Sequence, residues 1–166
     1  YLHDDVEYGF TNASNYDTDG DGRPDWYEDV NLNGVRDSNE TDPLDADTDN
    51  DGITDHNESD NAPHPFTGTY SDPLIYDTDG DGLSDGTEDA YNSSCNGHKD
   101  ANEPDPRQND TDHDGLTDYQ EYIAASDYPN FTDIDADGLW NIVDSDSDGD
   151  HIPDGAEISW RTDSDN

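Results

Sequence analysis

The stretch DTDGDGLSDGTE, residues 77–88, sets carboxylates at its first, third, fifth, ninth and twelfth positions. Five such groups so close together repel one another unless a cation lies among them. A hard divalent ion takes about six to eight oxygens, and a twelve-residue loop can supply them from those five side chains and the seventh carbonyl, with glycine sixth for the sharp turn. Asp77, Asp79, Asp81, Asp85 and Glu88, with the Leu83 carbonyl and Gly82, fill that template. Calcium is the ion it implies. Magnesium demands a stricter octahedron and keeps its waters, so an all-protein cage suits it poorly.

The same spacing returns along the chain. It fits Asp17, Asp19, Asp21, Asp25 and Glu28, with Arg23 seventh, and Asp47, Asp49, Asp51, Asp55 and Glu58, with Ile53 seventh. It fits Asp110, Asp112, Asp114, Asp118 and Glu121, with Leu116 seventh. Asp146, Asp148, Asp150, Asp154 and Glu157, with Ile152 seventh, fit as well, but His151 takes the place of the glycine. Histidine tolerates positive φ better than most residues.

Three loops are poorer in acid. Asp29, Asn31, Asn33, Asp37 and Glu40 surround Gly34, with Val35 seventh. Asp133, Asp135, Asp137, Asn141 and Asp144 surround Gly138, with Leu139 seventh. Asn92, Ser94, Asn96, Asp100 and Glu103 surround Gly97, with His98 seventh. Fewer charged ligands imply weaker binding. Asp163 and Asp165 open a ninth loop that the sequence carries no further. This implies either a longer array or oxygens from a neighbouring subunit, so that chains associate head to tail. Most of the 46 acidic residues fall on ligand positions, a register that a merely solvated acidic tail has no reason to keep. The expectation is about eight calcium ions per chain, one for each complete loop.

The rest of the composition agrees. Only 27% of the 166 residues are hydrophobic and the formal net charge is −41. Apolar burial on that scale does not offset conformational entropy, so something else must hold the fold. Five basic residues, Arg23, Arg36, Lys99, Arg107 and Arg161, argue against nucleic acid or anionic membrane as partners. No apolar run approaches a membrane span. With no Met and no visible signal peptide, the chain reads as a mature or excised segment. Cys95 stands alone and excludes an internal disulfide framework.

No active site is legible. General acid–base work needs carboxylates whose environments differ, and calcium-saturated loops make theirs alike. The six histidines fall in no zinc spacing. Asn12, Asn39, Asn57, Asn92, Asn109 and Asn130 open Asn-x-Ser/Thr triplets, which mark N-glycosylation candidates in a secreted chain.

The loops group in threes. A connector at 1–16 precedes a first triplet at 17–58. A second connector at 59–76 leads to a triplet at 77–121, and a third at 122–132 leads to a triplet at 133–166. The period, about 60 residues, is close to that of stacked repeat architectures. Short helical turns are expected after several loops, with Pro24 and Pro153 near the first helical position. TDYQEYIAAS, residues 117–126, is the best candidate for a longer helix. Trp26, Tyr27, Trp140, Trp160, Phe10, Tyr70, Tyr76, Tyr122 and Phe131 are expected to form small aromatic clusters between loops.

One detail separates two known loop types. Paired EF-hand loops carry an apolar residue eighth, between amphipathic helices, whereas this chain carries it seventh and its flanks are short and polar. DTDGDGRPDWYE, DTDNDGITDHNE, DTDGDGLSDGTE and DSDGDHIPDGAE resemble the thrombospondin type 3 repeat, as do the preceding TDPLDADTD, SDPLIYDTD and EPDPRQNDTD. The resemblance implies a mostly irregular chain, with little regular secondary structure, wrapped around a row of calcium ions. It points away from enzymes and towards an extracellular or cell-surface structural role: a glycosylated rod, stalk or filament. A calcium-dependent adhesin module and a passive spacer within a larger secreted enzyme are the alternatives.

Overall fold

The computed structural model describes residues 11, 15–59, 70–90, 96–97, 99–127 and 133–157. Regular structure is sparse. The helices are α1 (Asp25–Glu28), α2 (Asp85–Asp89) and α3 (Asp118–Asp127), with a 3-10 turn at Asn141–Val143 and a helical turn at 154–157. No strand occurs among the described residues.

Each α-helical turn starts at the ninth residue of an acid-rich loop, for a local reason. The eighth residue is extended and suited to end the loop: Pro24 at φ −73°, ψ 141°, and Ser84 at φ −85°, ψ 150°. Ser84 Oγ accepts from the Thr87 amide. Thr117 and Gln120 cap α3 reciprocally, Gln120 N donating to Thr117 Oγ1 and Thr117 N to Gln120 Oε1. Asp85 and Glu88, or Asp118 and Glu121, stand in the first turn, where the positive end of the helix dipole favours them. The longest helix is the one the sequence expects near 117–126.

The loops themselves are left-handed at two points. In the loop at 77–88, Gly80 and Gly82 have φ of 77° and 113°. Elsewhere the fourth position is filled by Asn50, His113 or Ala136 at φ of 65–67°, and the sixth by His151 at φ 77°. The last of these shows a histidine accepting the turn that glycine makes in the other loops.

What lies inside is unusual. Among the described residues the buried hydrophobic side chains are Ile53, Leu83 and Ile142, while Glu28, Glu40, Glu58, Asp85, Glu88, Asp89, Glu103 and Asp118 are all under 5% exposed. The core is mainly carboxylate. The seventh position is buried in the loops at 47–58 and 77–88 but exposed at Val35 and Leu139. Arg23 is buried too, and its Nη1 donates to the Asp55 carbonyl. Trp26 packs on its chain neighbour Tyr27, ring centroids 4.0 Å apart, while Tyr76 and Tyr122 are exposed; Phe10, Phe131 and Trp160 lie outside the described residues. Between loops the Tyr119 ring lies against Gly82, 3.6 Å from where a Cβ would stand, and backbone amides make the joins.

Those joins have a rule. The fifth-position carboxylate of one acid-rich loop accepts the tenth-position amide of the next. Asp21 Oδ2 accepts from His56 N at 2.9 Å, Asp51 from Gly86 at 2.6 Å, Asp81 from Tyr119 at 2.6 Å and Asp114 from Gly155 at 2.8 Å. The loops at 17, 47, 77, 110 and 146 are thereby linked in sequence order, straight across the connectors at 59–76 and 122–132. At two joins the backbones nearly touch: a Cβ on Gly86 would stand 2.2 Å from the Asp51 carbonyl oxygen, and one on Gly155 2.4 Å from that of Asp114. Gly86→Ala should therefore open the join. Overpacking of this kind costs about 1–3 kcal/mol, a fall of roughly 2–12 °C in the thermal midpoint for a chain this long. An unchanged midpoint, measured by calorimetry in calcium, contradicts so close an approach.

Candidate metal centre

The acid-rich loops fold by turning their backbone amides onto their own carboxylates. Asp77 Oδ1 and Oδ2 accept from Gly80 N and Gly82 N, Asp79 Oδ1 from Asp81 N, and Asp81 Oδ1 from Leu83 N. The loop at 17–28 repeats every one of these bonds. Short spacing does this: each Asp reaches the amide two to five residues ahead, as in an Asx turn. The carboxylates are thus oriented inward before any ion is considered.

The remaining oxygens converge. Oδ2 of Asp19, Asp49, Asp79 and Asp112 is buried and accepts no hydrogen bond, and neither does Oε2 of Glu28, Oε2 of Glu121 or either oxygen of Glu58 and Glu88. These are the third and twelfth positions of four successive loops. A buried carboxylate oxygen without a partner costs several kcal/mol, and here the same atoms recur four times. Asp17, Asp19 and Asp21 bring one oxygen each within 4.8 Å of one another, as do Asp47, Asp49 and Asp51, Asp77, Asp79 and Asp81, and Asp110, Asp112 and Asp114. Oxygens on opposite sides of a calcium ion stand about 4.6–5.2 Å apart, so each group fits one ion. The donor set is oxygen only and preorganised, and it suits a hard cation.

The electrostatics agree. Without a cation, burial pushes Glu28 up to about 9 and Glu58, Glu88 and Glu121 up to about 10, with neighbouring aspartates adding to the shift. Asp79 and Asp112 rise to about 7, again through burial first. A group whose folded pKa is raised stabilises the fold fully below its ordinary value and loses that contribution as pH rises through the folded value. The ion-free fold should therefore gain stability between about pH 10 and pH 4.5 on acidification. Protein dialysed free of calcium should be more compact at pH 5 than at pH 8 by small-angle scattering. Equal dimensions at both values contradict the buried cage.

The ninth-position acids do something the loop template does not anticipate. Each gives both oxygens to the second residue of its own loop. Asp55 accepts from Thr48 N and Oγ1 at 2.9 and 2.7 Å, and Asp25, Asp85, Asp118 and Asp154 repeat this with Thr18, Thr78, Thr111 and Ser147. The same acids lie beside the preceding cage. Asp85 comes within 4.8 Å of Asp51 and Glu58, and Asp55, Asp118 and Asp154 are raised by burial first, with the charges of Asp21, Asp81 and Asp114 adding to the shift. They clasp their own loop and close the cage before it.

The Asp-Pro elements complete the clasp. The amides of Asp42, Asp72 and Asp105 donate to the hydroxyls of Thr48, Thr78 and Thr111. The residue before the first of them, Thr41, donates through Oγ1 to Glu28 Oε1. The recurrent Thr at the second position was the signal for this arrangement.

The acid-poor loops differ. Glu40 Oε1 and Oε2 accept from Asn31 N and Asp37 N, and the side-chain amides of Asn31 and Asn33 both donate to Asp37 Oδ2. Asp29 accepts from Asn33 N and Gly34 N, and Asn33 Oδ1 from Val35 N. In the middle of the chain Gly97 N donates to Asp89 Oδ2 at 3.0 Å, the bond that the first-position acid accepts in the other loops. Asp89, directly after Glu88 as Asp29 is after Glu28, thus opens this loop, ahead of the Asn92 that the spacing suggests. Asn96 and Asp100 pair, and Asp100 N donates to Glu103 Oε1. In the loop at 133–144, Asp133 Oδ1 is buried without a partner, Asn141 accepts from Ile134 N and Asp144 from Asp146 N, and Asp135 and Asp137 are exposed. Asp146 accepts from Gly149, Asp150 and His151, with Asp148 and Asp150 exposed; the Gly149 amide goes to its backbone carbonyl. His98, Asn92, Asp163 and Asp165 lie outside the described residues. Of the glycosylation candidates, Asn39 and Asn109 are exposed and Asn57 is half-buried; Asn12, Asn92 and Asn130 lie outside.

No family model, no curated protein and no solved structure matches this chain.

Proposed function

We propose that the chain is a calcium-binding structural repeat of the thrombospondin type 3 kind, serving outside the cell as a stiff rod, stalk or filament segment. The observation that carries this reading is the recurrence, at four acid-rich loops, of unpartnered buried carboxylate oxygens in the same positions. Calcium would be held by the first, third, fifth and twelfth acids of each acid-rich loop, and its charge would offset the burial of those acids. The joins between loops run in one direction along the sequence, so each loaded cage stiffens its neighbour, and a linear array results. Cages of this kind bind at about 10⁻⁴ to 10⁻³ M in extracellular modules, where calcium is in the millimolar range. The motif resemblance supports the same reading, and the exposed Asn39 and Asn109 leave room for glycans.

Small-angle scattering in millimolar calcium tests the rod. A compact globule of this length has a radius of gyration of about 15 Å. The reading predicts a value well above that, with a rod-like cross-section. A compact value contradicts it.

A further inference from the structure

We propose that the loops at 29–40 and 89–103 take no divalent cation and are closed instead by their own amide and basic groups. This rests on the calcium reading of the other loops and sets where that reading stops. Two independent loops show the same substitution of donors for a cation.

In four of the acid-rich loops the twelfth-position glutamate, Glu28, Glu58, Glu88 or Glu121, keeps at least one buried oxygen without a hydrogen-bond partner. In the loop at 29–40 the equivalent Glu40, 1% exposed, accepts at both oxygens from backbone amides of its own loop, at 3.2 and 2.9 Å. Its ninth-position acid is drawn to the loop interior as well. Asp37 Oδ2 accepts from Asn31 Nδ2 at 2.7 Å and Asn33 Nδ2 at 2.9 Å, whereas Asp55 or Asp85 turns to a second-position threonine. The residue standing second here is Val30, which has no hydroxyl to offer. The third and fifth positions, which supply carboxylates to a cation elsewhere, thus supply N–H donors to a carboxylate.

The loop closed by Glu103 repeats the arrangement. Asn96 Nδ2 donates to Asp100 Oδ2 at 2.8 Å, and Asp100 N donates to Glu103 Oε1. The residue after Asp89 is Ala90, as Val30 follows Asp29, and neither has a hydroxyl. Both loops also carry a base four residues before the closing glutamate that binds the carbonyl of that glutamate: Arg36 Nε reaches the Glu40 oxygen at 3.3 Å and Lys99 Nζ reaches that of Glu103 at 2.8 Å. No acid-rich loop has a base there; Pro24, Thr54, Ser84, Thr117 and Pro153 occupy it. A fixed positive charge and asparagine N–H groups replace the ion. A cation would have to break these charge-assisted hydrogen bonds to Glu40, Asp37, Asp100 and Glu103 to enter.

The test counts bound calcium on the full chain by native mass spectrometry. Asp37→Asn and Asp100→Asn should leave the count unchanged, while Asp79→Asn should lower it by at least one. The triple variant Asn31→Asp, Asn33→Asp, Arg36→Ser restores the acid-rich pattern and should raise the count by one. Loss of one ion from Asp37→Asn or Asp100→Asn overturns the proposal alone, as does a triple variant with no added ion. Should either single variant release every ion at once, it has unfolded, and the triple variant decides. A wild-type chain that binds no calcium overturns the functional reading and this contrast with it.

Discussion

Removing calcium should unfold this chain. Dialysis against excess chelator at pH 7.5 should abolish its helical circular dichroism and expand it towards the radius of an unfolded chain of this length, about 43 Å. The expectation follows from what fills the interior. Buried hydrophobic side chains number three among the described residues, whereas buried acids line every cage from Glu28 to Glu121. At neutral pH these glutamates ionise in water, and burying them as ions without a counter-charge is prohibitive. Two outcomes are open to the ion-free protein: protonation, which their raised pKa values would allow, or exposure. With −41 formal charges repelling along the whole chain, exposure wins, because it also releases backbone entropy. Full recovery on adding calcium back should accompany it. A spectrum unchanged in chelator contradicts the account.

Asp81→Ala should be far more damaging than a change in an acid-poor loop. Asp81 holds its loop through Leu83 N at 2.8 Å, the next loop through Tyr119 N at 2.6 Å, and a place in the cage with Asp77 and Asp79. Its loss removes a ligand and a join together. Each lost hydrogen bond to the carboxylate costs about 1.5–3 kcal/mol at most, since neither is fully buried; a lost cation adds its binding energy, and the two act on one junction. The thermal midpoint in millimolar calcium should drop by roughly 10 °C or more, with calcium stoichiometry reduced. Asn96→Ala removes one side-chain bond to Asp100 and should leave stoichiometry intact. Equal losses of calcium from the two variants contradict the ranking.

The loops were legible in the sequence because their information is local. Each acid meets amides within five residues, so spacing alone fixes the turn. Helix starts were legible for the same reason: Pro24 and Pro153 stand directly before the turns that open at Asp25 and Asp154, whereas the caps Ser84 and Thr117 were not singled out. What joins the loops was not. Asp51 meets Gly86, 35 residues on, and Asp114 meets Gly155, 41 residues on, and a backbone amide as donor leaves no side-chain signature at the tenth position, where His56, Gly86, Tyr119 and Gly155 all serve. The aromatic residues were expected to make these joins on general grounds of burial, yet Tyr76 and Tyr122 face solvent. The second role of Asp85, beside Glu58, was hidden likewise, since the loop template assigns it to its own site.

Crystals grown in calcium, measured by anomalous diffraction at long wavelength, bear most directly on the claim that calcium ions are the core of this fold. The account predicts anomalous peaks among Asp17, Asp19, Asp21 and Glu28, and in the corresponding cages closed by Glu58, Glu88 and Glu121. Ordered cages at these positions with no anomalous peak would contradict it.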